Sequence, residues 1–292
     1  MTPDKPYGRY IDLFTDFGFK RIFGTERNKD ILIDFLNTLL ANDLPPIKTL
    51  TYLDKEKAGK KQEERKAIFD LFCEGENGEK FIIELQRAAQ SYFKDRSLYY
   101  AAFVIQEQGR RGKNWDYSLT PVYSISIMDF SFNDQHPHKV ISYVSLRDSE
   151  TKEEFYDKLR FVYLEMPKFT KAASELQGNL DKWLFVLKNM HRLENVPVNI
   201  QEAVLLKVFE ECEIAKYNKE ERMLYEQSQK ERNDWFAVLS TAEEKGRAKG
   251  KAEVARQCIL EGMDNALIQK ITSLTLASIE QLRQEMKAQG LI

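Results

Sequence analysis

In the stretch AIFDLFCEGENGEKFIIELQ, Ala67 to Gln86, the candidate chemical groups are the carboxyls of Asp70 and Glu84, set inside apolar runs, and the amide of Gln86. Each acid interrupts an apolar run, Ile68-Phe69-x-Leu71-Phe72 or Phe81-Ile82-Ile83-x-Leu85. Asn77-Gly78 lies between the runs and reads as a hairpin turn. Charge inside a buried strand is costly unless it is paired or binds a metal. Hairpin register decides whether the two acids can meet. A two-residue loop, Asn77-Gly78, opposes Asp70 to Leu85 and puts the acids on opposite faces. A three-residue loop, Glu76-Asn77-Gly78, opposes Asp70 to Glu84. Such a loop wants a left-handed residue, usually glycine, at its third position, and Gly78 stands there. The sequence permits both registers.

In the second register Asp70, Glu84 and Gln86 share one face, because strand side chains alternate. Phe69, Leu71, Cys73, Phe81, Ile83 and Leu85 then form an apolar opposite face. Directly opposed carboxylates repel, and a divalent cation between them removes that cost. Hard oxygen ligands suit magnesium or manganese. A metal so held can activate water and stabilise charge on a phosphoryl oxygen. Gln86 could hydrogen-bond the attacking water or a phosphate oxygen, but an amide does not titrate and cannot serve as a base. Without a metal, the same pattern describes two acids at the exposed margin of a sheet.

The elements that must position these groups can be read along the chain. TDFGFKRIFG has near-helical apolar spacing, with Thr15 or Asp16 as cap and Gly24 as stop. NKDILIDFLNTLL is an amphipathic helix carrying Ile31, Leu32, Phe35, Leu36, Leu39 and Leu40 on one face. IKTLTYLD reads as a strand before the hairpin, and a helix is expected from about Tyr92 to Gln108. LTPVYSISIMDF, KVISYVSL and LRFVYLEM read as three further strands. After Pro167 no strand is expected. KEERMLYEQSQKERNDWFAVLSTAEEKGRAKGKAEVARQCILEGM predicts one long charged helix, punctuated by Gly246 and Gly250. Two short helices end the chain, the second beginning near Leu276; they read as a packing or dimerising unit, with helix-turn-helix DNA reading as the rival.

The whole-chain properties bound the function. The chain has 292 residues, long for one compact domain, so a core with an appendage is expected. A net charge of −2 excludes binding nucleic acid through a global positive field. Local basic patches remain: the segments 55–66 and 245–256, each of which also reads as a solvated loop or helix face. Cys73, Cys212 and Cys258 lack metal or disulfide spacing and point to a reducing compartment, the cytoplasm. No secretion signal and no run of about 18 apolar residues is seen, so no membrane partner is expected. His136 and His138, in NDQHPHKV, read as a solvated turn and only weakly as a metal site.

Asp70 followed across the hairpin by Glu84-Leu85-Gln86 resembles the D…(D/E)-x-K signature of the PD-(D/E)XK nuclease superfamily. More narrowly, the chain resembles the PD-(D/E)XK nuclease family transposases, also called recombination-promoting nucleases. TDFGFKRIFG, DILIDFLNTLL, IFDLFCEGENGEKFIIELQ, FKDRSLYYAAFVIQEQ, PVYSISIMDF and EEKGRAKGKAEVARQCILEGM carry the resemblance in order along most of the chain. It implies an α/β fold: a restriction-endonuclease-like mixed sheet flanked by helices, with an all-helical C-terminal region. It also implies magnesium (or manganese) dependence and endonuclease cleavage of DNA phosphodiesters, associated with recombination or mobile elements. Asp70 and Glu84 match the metal-binding acids. Gln86 falls where the superfamily has lysine, so that charge is absent, although E-x-Q variants occur. Asp16 matches an additional metal-side acid, or is a helix cap. Arg96 matches the following helix and could touch phosphate, while Tyr99 and Tyr100 there read as packing residues. Lys60 and Lys61, in the basic loop before the Asp70 strand, are candidates for DNA backbone contact. The expected division is a nuclease core over 1–166, a helical extension over 167–218, a long oligomerising helix over 219–262 and a tail over 263–292. A homo-oligomer, a dimer for double-strand cleavage, is the expected assembly. Two rivals stand: a catalytically weak DNA- or partner-binding module of the same fold, and a structural protein whose long helix is the functional part.

Overall fold

The computed structural model describes residues 8–54, 56–57, 67–109, 116–132 and 135–292. Helices α1 (Asp16–Phe23) and α2 (Lys29–Leu39) come first. Thr15 caps α1, its hydroxyl accepting the Gly18 N–H at 3.0 Å, and Gly24 closes it with an N–H to the Lys20 carbonyl. Asp16 is therefore the first helical residue and not the cap. The α2 side chains Ile31, Leu32, Phe35, Leu36 and Leu39 are buried, as the spacing predicts.

Strands β1 (Leu50–Tyr52), β2 (Glu56–Lys57), β3 (Ala67–Ile68), β4 (Leu71–Gly75) and β5 (Lys80–Gln86) follow. After helix α3 (Phe93–Glu107) come β6 (Val122–Met128), β7 (Ile141–Arg147) and β8 (Glu154–Glu165). Six of these strands form one mixed sheet in the order β1-β4-β5-β6-β8-β7, and β2 and β3 form a separate ribbon. β5, β6 and β8 run parallel to one another, β4 pairs antiparallel with both β1 and β5, and β7 pairs antiparallel with β8. Parallel strands need a crossover, and α3 supplies it between β5 and β6. All seven positions of β6 are buried, as befits a central strand covered on both faces.

One sheet face packs Leu71, Cys73, Phe81, Ile83, Ile125 and Val162 against α1, α2, α4 (Gly178–Asn189) and α5 (Ala203–Cys212). Trp183 is fully buried here, 5.4 Å from the Phe35 ring and 6.0 Å from that of Phe23. Residues 167–218 thus build part of the same core as the sheet. The other face packs Phe72, Ile82, Val122, Phe161 and Tyr163 under Phe93, Ala101 and Val104 of α3.

The hairpin takes the three-residue loop. Leu71 pairs with Ile83 and Cys73 with Phe81, and Gly78 sits at φ +87°. One expectation is corrected. Phe69 does not join Leu71 and Cys73; it packs on the α3 side, 5.3 Å from the Phe72 ring and 5.5 Å from that of Tyr100. The cause is a bend at Asp70 between β3 and β4, which breaks the alternation that a continuous strand would carry.

The chain divides into two compact units, Met1–Ser228 and Gln229–Ile292. Helix α6 (Lys219–Leu260) is continuous through Gly246 and Gly250. Within the second unit, Ala255, Cys258 and Ile259 cluster with Ile268 of α7 (Asn265–Thr272) and with Ile279, Leu282 and Met286 of α8 (Leu276–Ala288). Among the described residues no helix is long and apolar enough to cross a membrane.

Candidate active site

The bend that displaces Phe69 builds the site. At the 70/84 level, side chains replace the backbone ladder. The Leu85 N–H donates to Asp70 Oδ2 at 2.8 Å, and the Asp70 N–H points at Glu84 Oε1 at 3.4 Å. Aspartate readily trades a backbone partner for a side-chain one in this way. The reciprocal pair locks both carboxylates against the ends of β4 and β5. Gln86, two residues on and so on the same face, donates its amide N–H to Glu84 Oε2 at 2.9 Å. Glu84 and Gln86 are each only 8% exposed, and Asp70 is half-buried.

Burial governs the electrostatics. It pushes the Glu84 carboxyl up to about 8, and the neighbouring Asp70 charge adds to the rise. Burial also raises Asp70, helped by Asp16 and opposed by the Leu85 N–H, Lys20 and Arg87. Near neutral pH Glu84 is therefore largely protonated when no cation is bound. The two desolvated carboxyls form a pocket of hard oxygens, on which the charges of Lys20, Arg87 and Arg96 act. Asp70 Oδ2 and both Glu84 oxygens each keep a second lone pair beyond the hydrogen bond they accept. That donor set fits magnesium or manganese, which bind through one or two carboxylates and keep several waters.

Asp16, on α1, acts on Asp70 through space, but its own carboxylate is paired with Lys20 at 2.8 Å. Among the described residues no three His, Cys, Asp or Glu side chains converge in a metal-holding arrangement. The fold thus brings Asp70, Glu84 and Gln86 together and leaves Asp16 at the margin. Lys60 and Lys61 lie outside the described residues. His136 and His138 are exposed in a turn.

Helix α3 closes the site from above. Arg96 donates to the side-chain oxygens of both Gln86 and Gln90, and its charge acts on Glu84. The guanidinium also lies over the rings of Phe93 and Tyr100, 5.5 and 5.9 Å from their centroids. Tyr100 packs on Phe69, and its hydroxyl is raised by burial and by the charges of Glu84 and Asp70. Sequence reasoning passed over Gln90 and Arg87. Neither lies in a periodic pattern; both stand where the chain turns from β5 into α3, which brings the Arg87 charge to bear on Asp70 and Gln90 against Arg96.

A mixed sheet with helices on both faces, and two acids where an antiparallel hairpin meets the parallel strands, defines the restriction-endonuclease-like class. The sequence model of the PD-(D/E)XK nuclease family transposases matches residues 13–242, and the chain belongs to that family. The family is one of nucleases associated with mobile elements. Comparisons with curated proteins and with solved structures gave no match.

Proposed function

We propose that the chain is a magnesium-dependent DNA endonuclease that hydrolyses phosphodiester bonds. The reciprocal Asp70–Glu84 arrangement carries this reading: two acids desolvated side by side, each held by the other's strand. Asp70 and Glu84 hold the metal, with manganese as a substitute, and Asp16 tunes Asp70 from the margin. When bound, the metal supplies a water of lowered pKa and neutralises charge on the phosphate. The protein fixes the geometry. The Leu85 N–H sets the plane of the Asp70 carboxylate, and Gln86 sets that of Glu84 while its amide lies within reach of a water or phosphate oxygen. The buried β5 wall limits competing solvent, which strengthens each of these interactions.

DNA binds through its backbone, with Lys60 and Lys61 as candidate contacts just before the Asp70 strand. Cutting both strands at one place favours two such sites and hence a dimer of the chain. The cysteine spacing supports action in the cytoplasm. The second reading, a binding module with little catalysis, draws on the neutral Gln86 where the superfamily signature has lysine.

A supercoiled-plasmid assay with magnesium separates the two. The wild type should nick and linearise the plasmid, EDTA should stop it, and Asp70→Ala should lose at least about 100-fold of the rate. Cleavage that survives both EDTA and Asp70→Ala refutes the proposal. No cleavage by the wild type with magnesium or manganese, alongside retained DNA binding, favours the binding module.

A further inference from the structure

The hydrogen bonds around Gln86 form a directed chain. Arginine has donors only. Its contact therefore requires that Gln86 turn its amide oxygen toward Arg96. The amide N–H2 must then face Glu84, as observed at 2.9 Å. The other arm of the same guanidinium holds Gln90, in the connection between β5 and α3. Phe93 and Tyr100 pack around it, so the planar fork is pinned on three sides. The Glu84 carboxylate by itself favours the amide N–H, and Arg96 adds the anchor on the amide oxygen that holds the whole side chain in this rotamer once a cation competes for Glu84.

We propose that Arg96 is a positioning residue that acts through Gln86 and supplies the positive charge that Gln86 lacks. It sits one turn into α3, and its cation reaches the site through the amide and not by occupying position 86. This differs from direct phosphate contact, the role its sequence position suggests. Phosphate contact would show in DNA affinity. A relay shows in turnover and in its dependence on what stands at position 86. The inference rests on the nuclease reading above, but one of its tests does not.

The first test is a double-mutant cycle with Arg96→Gln and Gln86→Lys, with folding checked by thermal melts. Losing a partner that orients a ligand typically costs about 10- to 100-fold. Arg96→Gln should lower kcat by that range and change KM for DNA less than about threefold. In a Gln86→Lys background, where a cation already stands in place, the same change should cost less than about threefold. Equal losses in both backgrounds, or a loss carried by KM, would overturn the relay.

The second test uses the metal-free protein and NMR of the Gln86 side-chain amide, identified by its absence in Gln86→Lys. Arg96→Gln should speed hydrogen exchange of that amide at least about tenfold, because the amide loses the partner that orders it. Unchanged exchange refutes the relay whether or not the protein cuts DNA. A wild type that fails to cut DNA while this exchange responds to Arg96→Gln removes the nuclease reading and leaves the relay standing.

Discussion

Replacing Glu84 by glutamine should stabilise the protein while abolishing its activity, and the stabilisation should grow with pH. In the folded protein the Glu84 carboxyl is pushed from 4.5 up to about 8 by burial and by Asp70. A carboxyl whose folded pKa lies above its unfolded value binds its proton more tightly when folded. Its favourable contribution is fully present below about pH 4.5 and is lost as the pH rises toward about 8. Across that window the slope is about 1.4 kcal/mol per pH unit. From about pH 5.5 to 7.5 the wild type should lose up to roughly 2.7 kcal/mol from this one group. Glutamine does not titrate; its one carbonyl oxygen can accept the Gln86 N–H, while its N–H2 replaces the acceptor facing the Asp70 N–H, a cost that does not change with pH. The stability difference between Glu84→Gln and wild type should therefore widen by about 1.5–2.7 kcal/mol over that interval, the lower end allowing for relaxation as the buried group ionises. Urea melts in EDTA at the two pH values, at matched ionic strength, measure it. A difference that stays constant with pH, or narrows, refutes the account of Glu84 as a desolvated acid raised by its neighbour.

Three other outcomes follow from the same geometry. Magnesium must displace the Glu84 proton, so its affinity, measured by calorimetry, should rise about tenfold per pH unit up to about pH 8 and level off above it. Gly78→Ala forces a side chain into a left-handed conformation at φ +87°, 3.2 Å from the Thr120 methyl. It should cost about 1–2 kcal/mol in denaturant melts and lower the cleavage rate by loosening the loop that sets the 70/84 register. Trp183→Ala empties a fully buried site among Phe23 and Phe35 and should cost about 3–5 kcal/mol in the same melts.

Much of this was legible along the chain, because alternation and helical period report directly which side of an element meets the core. The faces of α1 and α2, the β5-α3-β6 order and the start of α8 near Leu276 all followed from spacing. The ribbon of β2 and β3 and the bend at Asp70 did not. Phe69 was consequently assigned to the wrong face, because alternation was carried through a residue that leaves the ladder. The chemistry of the site was also legible as residue types: two acids and an amide in apolar runs, with a glycine suited to a left-handed turn.

Register was left open by the sequence and settled by contacts remote along the chain. The loop residue Glu76 accepts the backbone N–H groups of Lys48 and Thr49, each at 3.1 Å, and this ties the three-residue loop to the segment leading into β1. Gly75 and Glu79 close the loop with a 2.9 Å backbone bond. Once that register is taken, Asp70 and Glu84 meet, and α3 covers them. The residue types follow from the sequence alone. Desolvation, the reciprocal backbone donors and the reach of Arg96 to Gln86 depend on which elements close over the hairpin. Tertiary packing alone decides how much water a carboxylate keeps, and that turns two acids in a strand into a candidate metal site.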